Sequence, residues 1–167
     1  MLIILGGLPG TGKTTIAREL CRQIDAVHLR IDSIEQVIRD CVLQSRPLDD
    51  TGYRVAYAIA EDNLRIDRTV VADSVNPLKI TRDAWLQVAH RFRVTGVEVE
   101  LVCSDEEEHY IRIRERSTDI TGLKLPSWAE VLARKYDPWE RDRSADSPRD
   151  EMTIARERGG SKTKRKL

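Results

Sequence analysis

Residues 2–14 read LIILGGLPGTGKT, an apolar run that passes into a glycine-rich turn and closes on a lysine and a threonine. Gly7 to Thr14 fit the spacing G-x-x-x-x-G-K-[ST] in the setting that spacing requires, after an expected strand and before an expected helix. Glycines let successive backbone N–H groups turn into one concave nest, and a helix starting at the lysine adds the partial positive charge of its N-terminus. A turn that merely joined strand to helix would need neither Gly12 nor a lysine before Thr14. Gly7, Leu8, Pro9, Gly10, Thr11, Gly12, Lys13, Thr14 and Thr15 are therefore expected to hold the phosphates of a nucleotide. Lys13 would bridge the β- and γ-phosphates, and the Thr14 hydroxyl would face Mg²⁺.

A first strand that is apolar without alternation suits the centre of a parallel sheet covered on both faces. The remaining pattern agrees. The helix from Lys13 sets Ala17, Leu20, Cys21 and Ile24 on one face. AVHLRID (26–32) reads as a strand with one wetter face, on which His28 is a plain sheet-face histidine. SIEQVIRDCV reads as a helix with Ile34, Val37, Ile38 and Cys41 inward. A longer helix from about residue 53 to 66 carries the stripe Tyr53, Ala56, Tyr57, Ala60 and Leu64. TVVADSVN (69–76) and VEVELVC (97–103) are further strands, separated by the helix TRDAWLQVAHRF. A helix over about 105–116, the loop STDITGLKLP and a last helix SWAEVLARKY complete the pattern. Trp85 and Trp128 read as core, and Trp139 as packing the final turn. Strands alternating with helices across short connections predict an α/β fold of three layers, a parallel sheet with helices on both faces.

In such sheets ligands gather at the carboxyl ends of the strands. The first strand ends in the glycine turn, the second in Asp32-Ser33 and the third in Asp73-Ser74. Two carboxylates thus converge on the phosphates, one to accept a proton from an acceptor hydroxyl and the other to hold Mg²⁺ directly or through water. Taken alone, Asp32 equally suits a helix cap and Asp73 a turn. Arg112 and Arg116, four apart, share a helix face and precede residues 117–126, a loop with Gly122 and Pro126 that reads as a lid. They are expected to place positive charge over a transferring phosphoryl group, although a solvated charged face explains either one as well.

Lysine and arginine together number 28, as do aspartate and glutamate, so no whole-domain field attracts nucleic acid. Three cysteines and three histidines stand far apart, without the paired spacing of a zinc site or a disulfide framework. The opening apolar run is too short for a signal-peptide core and no stretch suits a membrane span, so a reducing cytoplasm is the expected setting. Residues 144–167 carry few large apolar side chains and end in SKTKRKL, which reads as a mobile charged tail or an RNA-contacting or targeting tail.

GGLPGTGKTT, HLRIDSIEQVIRD, GYRVAYAIAEDNL, TVVADSVNP, TRDAWLQVA, LKLPSW and KYDPW, in that order, resemble the bacterial P-loop kinases commonly labelled AAA family ATPases. The resemblance spans about residues 1–143 and extends more distantly to phage polynucleotide kinase, chloramphenicol phosphotransferase and zeta toxins. It implies a sheet of order 2-3-1-4-5 and ATP-dependent phosphorylation of a hydroxyl, with Mg²⁺. The family's phosphate-loop residues map to Gly7, Gly12, Lys13 and Thr14, its substrate-side aspartate to Asp32 and its lid arginines to Arg112 and Arg116. Two departures stand out. Relatives with an acceptor-binding Asp-x-x-Arg carry arginine where this chain has Glu35. Relatives also continue into a fifth apolar strand where this chain reads RDRSADSPRDEM, so four strands are expected unless the short TIA stretch supplies another.

The expected activity is transfer of the γ-phosphoryl of ATP to a small-molecule hydroxyl. Two other readings stay open, a nucleic-acid 5′-hydroxyl kinase and a nucleotide-binding regulatory module with little transfer.

Overall fold

The computed structural model describes residues 1–41 and 50–140. Its elements are β1 (Leu2–Gly6), α1 (Lys13–Ile24), β2 (Val27–Arg30), α2 (Ile31–Cys41), α3 (Thr51–Arg65), β3 (Val70–Asp73), α4 (Lys79–Arg91), β4 (Gly96–Glu100), α5 (Glu106–Glu115) and α6 (Trp128–Leu132). Among the described residues the sheet has four strands in the order β2-β3-β1-β4, every pair parallel. This is the three-layer α/β architecture of a P-loop NTPase. The TIA stretch and the tail from residue 144 lie outside the described residues.

β1 is central, and its side chains divide the core by strand alternation. Leu2 and Ile4 pack with Ala56, Ala60 and Leu64 of α3 and with Trp85, Val88 and Ala89 of α4. Ile3 and Leu5 face the other way, onto Ala17 and Cys21 of α1. The fully buried Ala56 and Ala60 give α3 a smooth face, against which the strands lie close. Beside them the Tyr57 ring meets Trp85 edge-on at 4.5 Å, and its hydroxyl donates to the Thr81 carbonyl at 3.2 Å. Burial of these apolar faces is the main term that holds the layers together.

Three expectations about packing change. α2 begins at Ile31, two residues before the expected start, so its inward stripe is Ile31, Ile34 and Ile38, while Val37 and Cys41 are exposed. The phase follows from Ile31, which is buried in the first turn and fixes which side of the helix meets the core. Ile24, at the end of α1, is also exposed, beyond the reach of the sheet. Trp128 is half-buried, and it covers His109 and Tyr110 edge-on at 5.1 and 5.8 Å instead of entering the core.

The last described segment is clamped to α4 and to the sheet. The buried Arg82 guanidinium donates to the carbonyls of Asn76, Asp137 and Pro138 at 3.1, 3.3 and 2.9 Å and lies 4.8 Å over the Trp139 ring. Trp139 Nε1–H donates to the Tyr136 hydroxyl, which in turn donates to Glu100 at the end of β4. Trp139 thus packs the final turn against the sheet, as expected from the sequence.

Candidate functional site

The turn after β1 is shaped by two glycines that no other residue replaces. Gly7 has φ of 130°, and a Cβ there would lie 2.2 Å from the Leu101 carbonyl oxygen. Gly10 has φ of 86°, and a Cβ there would strike Ile113 of α5 at 2.8 Å. The second contact places α5 directly against the turn. The buried His109 reinforces it by donating from Nε2 to the Pro9 carbonyl at 2.7 Å, a bond whose direction follows because a carbonyl only accepts.

Lys13 begins α1 and is buried within the turn. Its ammonium donates to the carbonyls of Gly7 and Leu8 at 2.7 and 2.8 Å and approaches the Thr11 hydroxyl at 3.5 Å. Burial pushes this ammonium down to about 8. Asp73 and Asp32 partly offset the shift, while the positive charges of Arg116 and Arg134 add to it.

The turn opens into a cleft of about 1150 Å³ at the carboxyl ends of β1, β2 and β3. Pro9, Gly10, Gly12, Lys13, Thr14 and Thr15 form its floor, with Asp32 and Asp73 on the wall. Arg112 and Arg116 close the α5 side. Gly7, Leu8 and Thr11 shape the turn from behind: Thr11 donates to the Leu8 carbonyl at 3.0 Å, and the Gly7 N–H donates to the Val75 carbonyl at 3.1 Å. Every side chain expected to act chemically therefore faces one space. Asp32 stands in the first turn of α2, where a carboxylate also complements the helix dipole. Arg112 is held by Glu108 at 2.7 Å, and Arg116 is the C-terminal cap of α5.

Several contacts in and beside the cleft were not expected from the sequence. His28 lies 3.1 Å from Asp73 through Nε2 and Oδ2, so the sheet-face histidine touches the β3 carboxylate. Asp119, in the loop after α5, is gripped by Arg18 of α1 and by Arg30 of β2. The two guanidiniums hold its carboxyl well below the usual carboxylate range. Glu35 pairs with Arg39 at 3.0 Å, and burial against Gly52 pushes its carboxyl up. Arg134, beyond α6, also reaches the cleft. A sequence signal existed for Glu35 and Arg39, whose spacing of four marks a helical ion pair. The other contacts join residues 45 to 101 positions apart, and strand order must be known before they can be drawn.

Among the described residues no group of three or more histidine, cysteine, aspartate or glutamate side chains could hold a metal. No described helix is long and apolar enough to cross a membrane.

Likenesses to solved structures agree with this fold. Chaetomium thermophilum Kti12, in complex with ADP-AlF3, is 24% identical with a TM-score of 0.61, over 83% of this chain and 81% of that one. Mycobacterium tuberculosis APS kinase CysC, in complex with AMPPNP and APS, is 18% identical with a TM-score of 0.55, over 68% of each chain. A protein of Chloroflexus aurantiacus assigned as a kinase is 21% identical with a TM-score of 0.59, over 68% of this chain. The match covers 64% of that protein, just under two thirds of its length. No curated protein matches the chain at a significant level. A family model described as an AAA domain matches residues 2–136, nearly all of the described chain, and it begins with the strand and glycine turn on which the cleft is built. The chain belongs to this AAA-domain family.

Proposed function

We propose that this protein is a Mg²⁺-dependent phosphotransferase that moves the γ-phosphoryl group of ATP to a hydroxyl of a small-molecule acceptor. The observation that carries the reading is the convergence in one cleft of a backbone phosphate nest with a buried lysine, a carboxylate from the end of β3, another from the first turn of α2 and arginines from α5.

The nest that Gly7 and Gly10 make possible receives the β-phosphate, and the Lys13 ammonium turns from the loop carbonyls toward the β- and γ-phosphate oxygens. The Thr14 hydroxyl and the Asp73 carboxylate are hard oxygen donors of the kind that Mg²⁺ takes, and two protein ligands suffice where phosphates and water complete the shell. When bound there, Mg²⁺ neutralises phosphate charge. Asp32 accepts the acceptor's hydroxyl proton as the new bond from acceptor oxygen to γ-phosphorus forms. The bond from γ-phosphorus to the β,γ-bridging oxygen breaks, and ADP departs with that electron pair. Arg112 and Arg116 stabilise the charge spread over the transferring oxygens. Residues 117–126 act as the lid that excludes water, with Asp119 as its attachment to α1 and β2. Glu35 places a carboxylate where an arginine would hold a phosphorylated acceptor, which favours an acceptor without a phosphate at that point.

The test supplies γ-labelled ATP and Mg²⁺ with fractionated small metabolites and, separately, with short RNA and DNA, using Lys13→Met as control. Label in a low-mass organic product that disappears with Lys13→Met is the expected result. Label in oligonucleotides would move the assignment to a nucleic-acid kinase. Label confined to inorganic phosphate would overturn transfer in favour of a nucleotide-responsive module.

A further inference from the structure

Four arginines that line the cleft are committed to carboxylates: Arg18 and Arg30 to Asp119, Arg39 to Glu35 and Arg112 to Glu108. Arg134 differs. It lines the same cleft, and among the described residues no hydrogen bond or ion pair holds its side chain. An exposed arginine on a loose end would deserve no comment, but the segment that presents this one is fixed on both sides.

Upstream, α6 starts with a reciprocal cap. The Ser127 hydroxyl accepts from the Glu130 N–H at 3.3 Å, while the Glu130 carboxylate accepts from the Ser127 N–H at 2.7 Å. Val131 is buried, and the Arg134 N–H itself donates to the Val131 carbonyl at 3.3 Å. Downstream, the Asp137 N–H donates to the Pro77 carbonyl at 2.7 Å, and the Asp137 carboxylate accepts from the Lys79 N–H at 2.9 Å. The Arg82 guanidinium binds the next two carbonyls. A pinned backbone on both sides places a long cationic side chain at the cleft, where among the described residues no carboxylate forms an ion pair with it.

We propose that Arg134 is a further catalytic residue, which contacts the transferring phosphoryl group and acts with Arg116 on its developing charge. The proposal rests on the phosphotransferase reading above. The position fits that role: Arg134 lines the same cleft as Lys13 at the phosphate end and Glu35 at the acceptor wall, and its charge bears on both. A planar guanidinium offers paired N–H donors to phosphoryl oxygens, and a site that keeps water out makes such donors count for more than they do at an open surface. The transfer itself needs nothing further, since the Arg134 guanidinium acts only as an N–H donor.

The experiment measures binding of ADP with Mg²⁺, in the presence and absence of aluminium fluoride, which stands in for the phosphoryl group in flight and requires no knowledge of the acceptor. For the wild-type chain, aluminium fluoride should tighten ADP binding. Arg134→Met should bind ADP alone within about twofold of wild type and lose at least about tenfold of the tightening. Arg134→Lys keeps the charge without the fork and should recover part of it. Lys135→Met, a neighbouring exposed cation outside the cleft, should change nothing. Full tightening in Arg134→Met would overturn this role and leave the phosphotransferase reading standing. Absence of tightening in the wild-type chain would overturn that reading and this role together.

Discussion

His28 Nε2 lies 3.1 Å from Asp73 Oδ2, across the parallel pair β2 and β3 and two residues diagonal to the register that sets Arg30 opposite Asp73. Asp73 is almost wholly buried and His28 about three quarters so, which removes water as a competitor for the carboxylate. One oxygen of Asp73 is thereby fixed by an imidazole, and the other is left for the cleft. If Asp73 serves the metal, His28 orients that ligand from behind. Removing such a support weakens metal binding by about tenfold or more. His28→Leu should raise the Mg²⁺ concentration for half-maximal nucleotide binding to that degree, with Asn or Gln at position 28 restoring part of the loss. Unchanged Mg²⁺ dependence in His28→Leu would show that the contact only fills the sheet face.

Lys13 gives a prediction about pH. Its ammonium is pushed down to about 8 from an ordinary value of 10.5, so between those two values the unfolded chain binds a proton that the folded chain does not. Stability should therefore rise with pH across that window, by roughly 3 kcal/mol if the shift is taken whole. The difference between wild type and Lys13→Met isolates this contribution from the tyrosines that titrate nearby. A bound nucleotide reverses the bias, because phosphate favours the charged ammonium. Calorimetric titration of ADP near pH 9 in two buffers of different ionisation enthalpy should reveal proton uptake on binding. A binding enthalpy independent of buffer would contradict the burial argument.

The glycine turn, the five apolar residues before it and the helix after it were legible because each is a local signal. A strand without alternation, glycines at fixed spacing and a 3.6-residue stripe need no knowledge of the rest of the chain. The same locality carried Asp32, Asp73, Arg112 and Arg116 to the cleft, since strand ends and a helix face place them once the fold class is granted. Locality failed where a choice depends on a distant partner. The stripe of α2 shifted because Ile31 joins the helix instead of the strand, a boundary that apolar periodicity alone leaves undecided. Trp128 looked like core because it sits at helical spacing among aliphatics, yet its partners His109 and Tyr110 sit on α5, outside both core layers. The contact of His28 with Asp73 and the role of Asp119 were silent for the same reason, as their partners lie on neighbouring strands and on α1.

Gly6 gives a packing prediction at the rim of the cleft. A Cβ at this position would lie 2.1 Å from Cζ2 of Trp139, so Gly6→Ala must expel the ring from its seat between β1 and the Arg82 guanidinium. Overpacking of this kind costs about 1–3 kcal/mol. The expected outcome is a lower thermal midpoint together with a red shift of Trp139 emission, read as the difference from the same chain carrying Trp139→Phe. Arg82→Met should lower the midpoint more, because it leaves the carbonyls of Asn76, Asp137 and Pro138 without their shared donor. If Gly6→Ala leaves both observables at wild-type values, the Trp139 segment is not held against β1 as described.

Asp119 ties the loop after α5 to the opposite wall of the cleft, and its two arginine partners are unequal. The Arg18 side chain is 51% exposed, whereas that of Arg30 is 9% exposed, and the Arg30 Nε lacks a hydrogen-bond partner among the described residues. An exposed pair contributes little, but a buried guanidinium that loses its carboxylate is left with an uncompensated charge. Asp119→Asn should therefore free residues 117–126, raising their amide hydrogen exchange by more than about tenfold. Arg18→Ala should change it by less than about fivefold. Arg30→Met removes the buried cation along with its need for Asp119, so the double variant with Asp119→Asn should be more stable than Asp119→Asn alone. Equal exchange in Asp119→Asn and wild type would show that Gly122 packing against Gln36 holds the loop without the carboxylate.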